Sequence, residues 1–326
     1  MRNAAQSLLC LAVAALAGLG APRAWASACE LKLDASLAIA RLPGAAQDDP
    51  PPVVVAARHE DTPLQLIFDT GAATTLIEGS VPGFIGLHRF TESVANGAGG
   101  GIALRHVTNL SLTLGDLTVT IASVAVTDPR TPLYGGQFDG LLGVDALRAY
   151  DFELDPAAGR IRIFSQDHCR SGVVYWAREY SEFPFHRDRD GRIAVPVTID
   201  GKTLRGIIDT GASHTSMNWQ IAADAFGLTP TSPGVMAVTH RVLSSDGRQL
   251  AAARYQFDTV EFGALRIHNA PVTILPTLAP EDLPHAFSHD DEGPQIAIGM
   301  DVLQHLRFYV ANGEEMIYFT IASPPA

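Results

Sequence analysis

The sequence predicts an all-β protein of two similar lobes with few short helices, and three observations predict it. Residues 53–77 and 193–217 align without a gap and share the run Asp-Thr-Gly-Ala, at Asp69–Ala72 and at Asp209–Ala212. A second pair of segments, Leu141–Leu147 and Ala297–Leu303, repeats downstream in each half. Around them the chain is written in short, β-branched-rich runs bounded by turn residues. A hydrophobic fraction of 47% over 326 residues is ample for a packed core in each of two units. A formal net charge of -12 argues against nucleic acid as a partner.

The elements follow in chain order. Residues 1–26 read as a signal peptide. Arg2 gives the positive start, Leu8–Leu19 is an apolar stretch short for a bilayer, and Ala24-Trp25-Ala26 offers small residues for cleavage. This predicts export, to the periplasm or beyond. A retained anchor helix is the alternative, and lipoprotein anchoring at Cys29 a lesser one. No later segment has the ~18 uninterrupted apolar residues of a span, so no membrane span is expected once the signal is removed.

Residues 27–52 form an N-terminal extension. The first lobe covers 53–165, with strands predicted over Val53–Ala57, Leu64–Phe68, Leu110–Leu114, Leu117–Ala125 and Arg160–Phe164. Leu114-Gly115-Asp116 and Pro156–Gly159 are turn signals between them. Residues 166–192 form a linker. Its Trp176, Tyr180, Phe183 and Phe185 are expected to pack between lobes, and His186–Asp190 to be a solvated turn.

The second lobe covers 193–326, with strands over Ile193–Ile199, Gln256–Phe262, Ala270–Leu275 and Met316–Ile321. Asp200-Gly201 is a hairpin signal. Short helices are predicted to start at Asp145 and Asp301, each carboxylate capping the first turn or supporting a nearby loop. Ile221–Phe226 is a third. The second half is longer between its two repeated segments, and the acidic, proline-rich stretch Pro276–Pro294 reads as the solvated loop that accounts for it. Cys10 leaves with the signal. Cys29 and Cys169 then permit one disulfide, two free thiols being the alternative. No CxxC or HExxH spacing occurs among the 11 histidines, so neither metal nor cofactor is expected.

The chemistry lies in the repeated triplets. An apolar strand (Leu66–Phe68, then Gly206–Ile208) delivers a carboxylate where the chain turns out of the core. Gly71 and Gly211 permit close backbone approach, while Thr70 and Thr210 can hydrogen-bond across a twofold axis. One loop supplies one carboxylate. Two loops put Asp69 and Asp209 in contact, where both cannot easily ionise, so one proton is shared. Such a pair can activate a water and protonate a leaving amine.

On these motifs the chain resembles the pepsin/retropepsin clan of aspartic peptidases, over roughly residues 53–165 and 193–321. The wording Asp-Thr-Gly-Ala, with Thr75 and Thr215 three residues on, is closer to retropepsins. Leu-Leu-Gly at Gly143 and Ala-Ile-Gly at Gly299 look like the clan's motif that supports the Asp-Thr-Gly loop. The resemblance implies a pepsin-like, two-lobed barrel fold with pseudo-twofold symmetry and an aspartic endopeptidase acting on extended polypeptides. Asp69 and Asp209 would be catalytic. Thr70, Gly71, Ala72, Thr210, Gly211, Ala212, Gly143 and Gly299 would support the loops. Retropepsins complete their site by dimerising, whereas here both triplets lie in one chain, so a monomer should suffice. Pepsins carry a flap tyrosine, and the comparable stretch here, Asn96–Ile102, has none. Its glycines fit a mobile lid or a surface loop, with a second-half counterpart near Thr239–Gly247. A catalytically silent binding or inhibitory module, and a protease dedicated to one target, are the rival readings. His214 is expected at the cleft rim.

Overall fold

The computed structural model of the protein describes residues 30–40, 50–84, 91–97, 100–130, 136–238, 242–243, 249–276 and 293–322. The signal segment, Cys29 and most of the Pro276–Pro294 loop lie outside them.

The first half opens with β1 (Leu33–Ala40), β2 (Val54–His59), β3 (Thr62–Phe68), β4 (Leu76–Ile77), β5 (Thr91–Gly97) and β6 (Gly100–Leu114). It continues with β7 (Leu117–Thr127), β8 (Gly140–Leu142), helix α1 (Val144–Leu147), β9 (Asp151–Asp155) and β10 (Arg160–Phe164). The order β2-β3-β8-β4-β7-β6 closes through a β2–β6 pairing into a six-stranded barrel. Alternation drives closure. Val55 and Ala57 of β2, Leu64 and Leu66 of β3, and Leu112 and Leu114 of β6 are buried, with exposed Ala56 and Gln65 and half-buried Thr113 between them.

The second half carries β11 (Ser181–Pro184), β12 (His186–Arg187), β13 (Ile193–Ile199), β14 (Lys202–Ile208), β15 (Ser216–Asn218), helix α2 (Trp219–Phe226), β16 (Met236–Ala237), β17 (Val242–Leu243) and β18 (Gln249–Leu250). Then come β19 (Ala253–Phe262), β20 (Leu265–Leu275), β21 (Ile296–Ile298), helix α3 (Met300–Leu303), β22 (Leu306–Ala311) and β23 (Met316–Ile321). The order β13-β14-β21-β15-β20-β19 closes through β13–β19, repeating the first barrel strand for strand. The protein is therefore mostly β, with two similar lobes. Asp200 (φ 45°) and Gly201 (φ 80°) make the predicted tight turn between β13 and β14.

A third sheet, β11-β23-β22-β9-β10-β1, joins the lobes. At its centre β9 of one half pairs antiparallel with β22 of the other, in the register Phe152↔Val310, Glu153↔Tyr309 and Leu154↔Phe308. The pseudo-twofold axis passes through the Glu153–Tyr309 pair. Glu153 is fully buried there and accepts from Tyr175 Oη, from Arg162 at 2.6 Å and from Arg307 Nε at 3.0 Å, so each lobe supplies one arginine. Of the linker aromatics, Phe183 and Phe185 are buried. Trp176 lies beneath the Arg307 guanidinium at 4.7 Å, and Tyr180 stays 40% exposed.

The structure differs from the sequence reading in three local respects. Leu110–Leu114 is only the end of a 15-residue strand, whose polar outer residues His106, Thr108 and Ser111 obscure the run. Among the described residues of Asn96–Ile102, Gly97 pairs with Gly100 and Asn96 with Gly101, so the glycines Gly97, Gly100 and Gly101 stand in the antiparallel β5–β6 ladder. Ala98 and Gly99, like most of Thr239–Gly247, lie outside the described residues. The β16–β19 and β17–β18 pairings nonetheless put an antiparallel hairpin at the corresponding place in the second lobe. Third, His186–Asp190 is not simply a solvated turn. Asp188 accepts from Arg192 Nε at 2.7 Å, and Arg192 is 6% exposed, because mutual neutralisation lets both be buried.

The linker is tied to the inter-lobe sheet by a buried ion pair. His168 Nε2 meets Asp151 Oδ2 at 2.5 Å, and Tyr309 Oη and Asn312 N–H donate to the same carboxylate. Next to it, Cys169 is disulfide-bonded, with a partner outside the described residues. Burial works against charge on His168, yet Asp151, the Cys169 carbonyl and Glu314 outweigh it and raise its pKa. A raised folded-state pKa contributes stability below the unfolded histidine value that is lost as pH rises through the folded one. His168→Ala should therefore cost about 3 kcal/mol in acid, by stranding Asp151, and less in alkali. Urea unfolding at two pH values checks this, and equal losses at both would contradict it.

Candidate active site

Strands β3 and β14 run from the two barrels toward each other and end at Asp69 and Asp209. Each strand end is held from the side. Asp69 N–H donates to Leu142 O and Asp209 N–H to Ile298 O, both at 3.0 Å, so β8 and β21 fix where the two carboxylates emerge.

The threonines lock the loops across the axis. Thr70 N–H donates to Thr210 Oγ1 and Thr210 N–H to Thr70 Oγ1, each at 3.1 Å. Thr70 Oγ1 donates to Ile208 O at 2.7 Å, and Thr210 Oγ1 to Phe68 O at 2.5 Å. Both threonines are fully buried, so these bonds form without competing water.

The glycines show how close the halves come. A Cβ on Gly71 would stand 2.3 Å from Asp209 Cγ, and a Cβ on Gly211 would stand 2.3 Å from Asp69 Cγ. Each carboxylate thus packs over the glycine of the opposite loop, and the two carboxylates hydrogen-bond each other. Within its own loop, Asp69 Oδ1 accepts from Gly71 N–H (2.9 Å) and Ala72 N–H (3.0 Å). Asp209 Oδ1 accepts from Gly211 N–H (3.0 Å) and Ala212 N–H (3.1 Å).

The pair is electrostatically strained. Burial, then the charge of Asp209, raises the Asp69 pKa well above the ordinary aspartate value, against the two N–H donors that favour its ionised form. Burial also raises Asp209, opposed by its own two N–H donors, by the charge of Arg192 and by the hydrogen bond from Asp69. Two carboxylates both raised in this way and packed together cannot easily both ionise, so the pair retains one proton between them.

A second layer props each loop. Gly143 N–H donates to Thr75 Oγ1 at 3.1 Å, and Gly299 N–H to Thr215 Oγ1 at 3.2 Å. Those hydroxyls donate in turn to Asp145 and Asp301, both at 2.7 Å. Val144 N–H and Met300 N–H close the layer onto Ala72 O and Ala212 O. A side chain at Gly143 would strike Thr74 C at 2.6 Å, and one at Gly299 would strike His214 C at 2.4 Å. The helices begin at Val144 and Met300, after Gly143 and Gly299 as N-caps without side-chain bonds. Of the two roles predicted for Asp145 and Asp301, loop support is therefore the main one, with Asp145 also accepting from Ala146 N–H at 2.8 Å. Sequence reasoning saw Thr75 and Thr215 only as repeated letters. Their spacing from the Asp-Thr-Gly was the available signal. His214 stands behind the second loop, its Nδ1 3.8 Å from Asp301 Oδ2.

The structure brings all ten sequence-predicted residues into this one assembly. Among the described residues there is no group of three or more His, Cys, Asp or Glu side chains that could hold a metal, and no helix long and apolar enough to cross a membrane. A sequence profile for a family described as aspartyl protease matches residues 55–146 and 195–302, one match per lobe and together more than half of the chain. No curated protein matches it.

Proposed function

The chain belongs to the aspartyl protease family, and from that premise we propose that it is an exported, single-chain endopeptidase in which Asp69 and Asp209 activate a water against a peptide bond. The observation that supports this most is the reciprocal fit of Gly71 under Asp209 and Gly211 under Asp69, which packs the two carboxylates together, where one proton can be shared. The ionised member removes a proton from the water as its oxygen attacks the carbonyl carbon. The protonated member donates to the carbonyl oxygen, giving a tetrahedral diol. The proton taken from the water then passes to the nitrogen as the C–N bond breaks, and one diol hydroxyl returns its proton to the other aspartate as the carboxyl product forms. Backbone N–H groups at residues 71, 72, 211 and 212 hold both carboxylates in place throughout. The family implies a polypeptide substrate, and a monomer contains both halves of the site. The signal-like residues 1–26 support action outside the cytoplasm.

The test is to incubate the purified mature protein with a mixture of unfolded proteins and map the cut sites by mass spectrometry. Many sites in diverse chains are expected. A single cut protein would instead favour a dedicated processing enzyme. No cutting, together with binding of a statine-type peptide analogue, would favour a silent module.

The pH dependence has a defined sign. Activity rises as the pair loses its first proton and falls as it loses the second. Because Asp69 is raised well above the ordinary aspartate value, the alkaline limb should extend toward neutrality. Ala72 and Ala212 supply no hydroxyl to stabilise the doubly ionised pair. Ala72→Ser and Ala212→Ser should move the alkaline limb of kcat/KM to lower pH, measured on one peptide. An unmoved limb in both variants would refute the assignment.

A further inference from the structure

The two halves of the site differ in one charged side chain outside the repeated motifs. In the second barrel β13 pairs with β14 in the register Ala194↔Ile207. Continuing that ladder two residues brings Arg192 level with Asp209. In the first barrel Val54 pairs with Ile67, and Phe68 N–H donates to Val53 O. The same continuation brings Pro52 level with Asp69. Opposed residues of an antiparallel pair project to the same face, with Cβ atoms about 5 Å apart. One aspartate therefore faces an arginine at the continued register position, and the other a proline.

Arg192 is held for this position. It is 6% exposed, and its Nε and Nη2 meet Asp188 Oδ2 at 2.7 Å and Asp190 Oδ2 at 3.0 Å. Its N–H donates to Asp188 Oδ1 and its carbonyl accepts from Asp188 N–H, so the turn clamps both backbone and side chain. The other charges near Asp209 are Asp69 opposite, Asp301 with His214 behind its own loop, and Asp145 behind the first. Asp301 and Asp145 recur at matching places in the two lobes. Arg192, with its two carboxylates, has no counterpart at Pro52.

We propose that Arg192 is a positioning residue that makes the carboxylate pair unequal, keeping the negative charge on Asp209 so that Asp209 is the base and Asp69 the proton donor. This rests on the endopeptidase reading for its meaning, but the charge distribution exists whether or not the protein cleaves. The charge of Arg192 lowers the Asp209 pKa, and at the equivalent place in the first barrel Asp69 has Pro52, which carries no charge. Asp188 and Asp190 partly neutralise the guanidinium, so the bias is moderate.

The test reads the carboxyl groups directly. Aspartate labelled with ¹³C at the carboxyl carbon is incorporated into the mature protein, and the Asp69 and Asp209 signals, assigned through Asp69→Asn and Asp209→Asn, are followed with pH. Asp209 should ionise first. In Arg192→Met its midpoint should move to higher pH, and in Arg192→Lys it should stay close to the parent. On a peptide substrate, Arg192→Met should lose roughly tenfold in kcat/KM on the acid limb and little at the optimum. If Arg192→Met fails to fold because Asp188 is left unpaired, Arg192→Met/Asp188→Asn removes both charges and is titrated instead. Asp69 ionising first, or an unmoved Asp209 midpoint, would overturn the proposal while leaving the protease reading intact. Absence of any cleavage would defeat the protease reading and leave the titration order to stand on its own.

Discussion

Asp209→Asn and Asp69→Asn are each expected to reduce peptide cleavage at least about a thousandfold, the upper range for removing a general acid or base. Asparagine keeps the shape and still accepts from Gly71 and Ala72, or from Gly211 and Ala212, through its amide oxygen. What it loses is the ability to exchange a proton. The same variants should be more stable than the parent near neutral pH. Both carboxylates have pKa values raised by burial. A group raised in the folded state favours folding below its unfolded pKa, and that advantage disappears as pH rises through the folded value. Near neutrality the site is thus a buried negative charge that the fold tolerates, and asparagine removes part of the cost. Kinetic assay of one peptide and thermal unfolding at pH 7 check both arms. Substantial cleavage by either variant would refute the assignment of the dyad.

Gly71→Ala and Gly211→Ala should be nearly as damaging, for a steric reason. The added methyl carbon would lie 2.3 Å from the carboxyl carbon of the opposite aspartate, where no atom can stay. The carboxylate must leave its place, or the two loops must separate and strain the four threonine bonds across the axis. Overpacking of this kind costs about 2 kcal/mol of stability. The loss of alignment costs activity far beyond that, since reacting groups displaced by ~1 Å already lose about a hundredfold. Alanine at Gly201, where no atom lies within 4 Å of the added carbon, serves as the control. It should cost stability, through the strain of its φ of 80°, while leaving kcat/KM unchanged. Retained activity in both Gly71→Ala and Gly211→Ala would mean that the loops do not meet as described.

The contacts across the axis were legible in the sequence because the chain states them twice. Two copies of Asp-Thr-Gly-Ala at one fixed offset imply two equivalent loops. The hydrogen bonds between Thr70 and Thr210, and between each aspartate and its own loop, are the shortest way for such loops to meet. Core strands were legible for a related reason: Ile193–Ile199 and Met316–Ile321 carry their pattern in apolar and β-branched letters, and their bounds agree with the structure. Other features were hidden. Thr75 and Thr215 gain a role only when Asp145 and Asp301 fold back onto them from far along the chain. The hairpin at Gly97–Gly100 was masked by glycines, whose letters signal a loop although backbone pairing needs no side chain. Arg192 was lost in a run of alternating charge, where burial depends on which acid pairs with which base in three dimensions.

The sheet that joins the lobes has a further consequence. Because β9 and β22 belong to one polypeptide, the half-sites face each other at an effective concentration set by their tether, not by the solution. Tethers of this kind correspond to millimolar levels or above. Specific activity should then be independent of dilution down to nanomolar enzyme. Each wall of the cleft is also free to change without its twin, so the recognised peptide need not read the same from both ends.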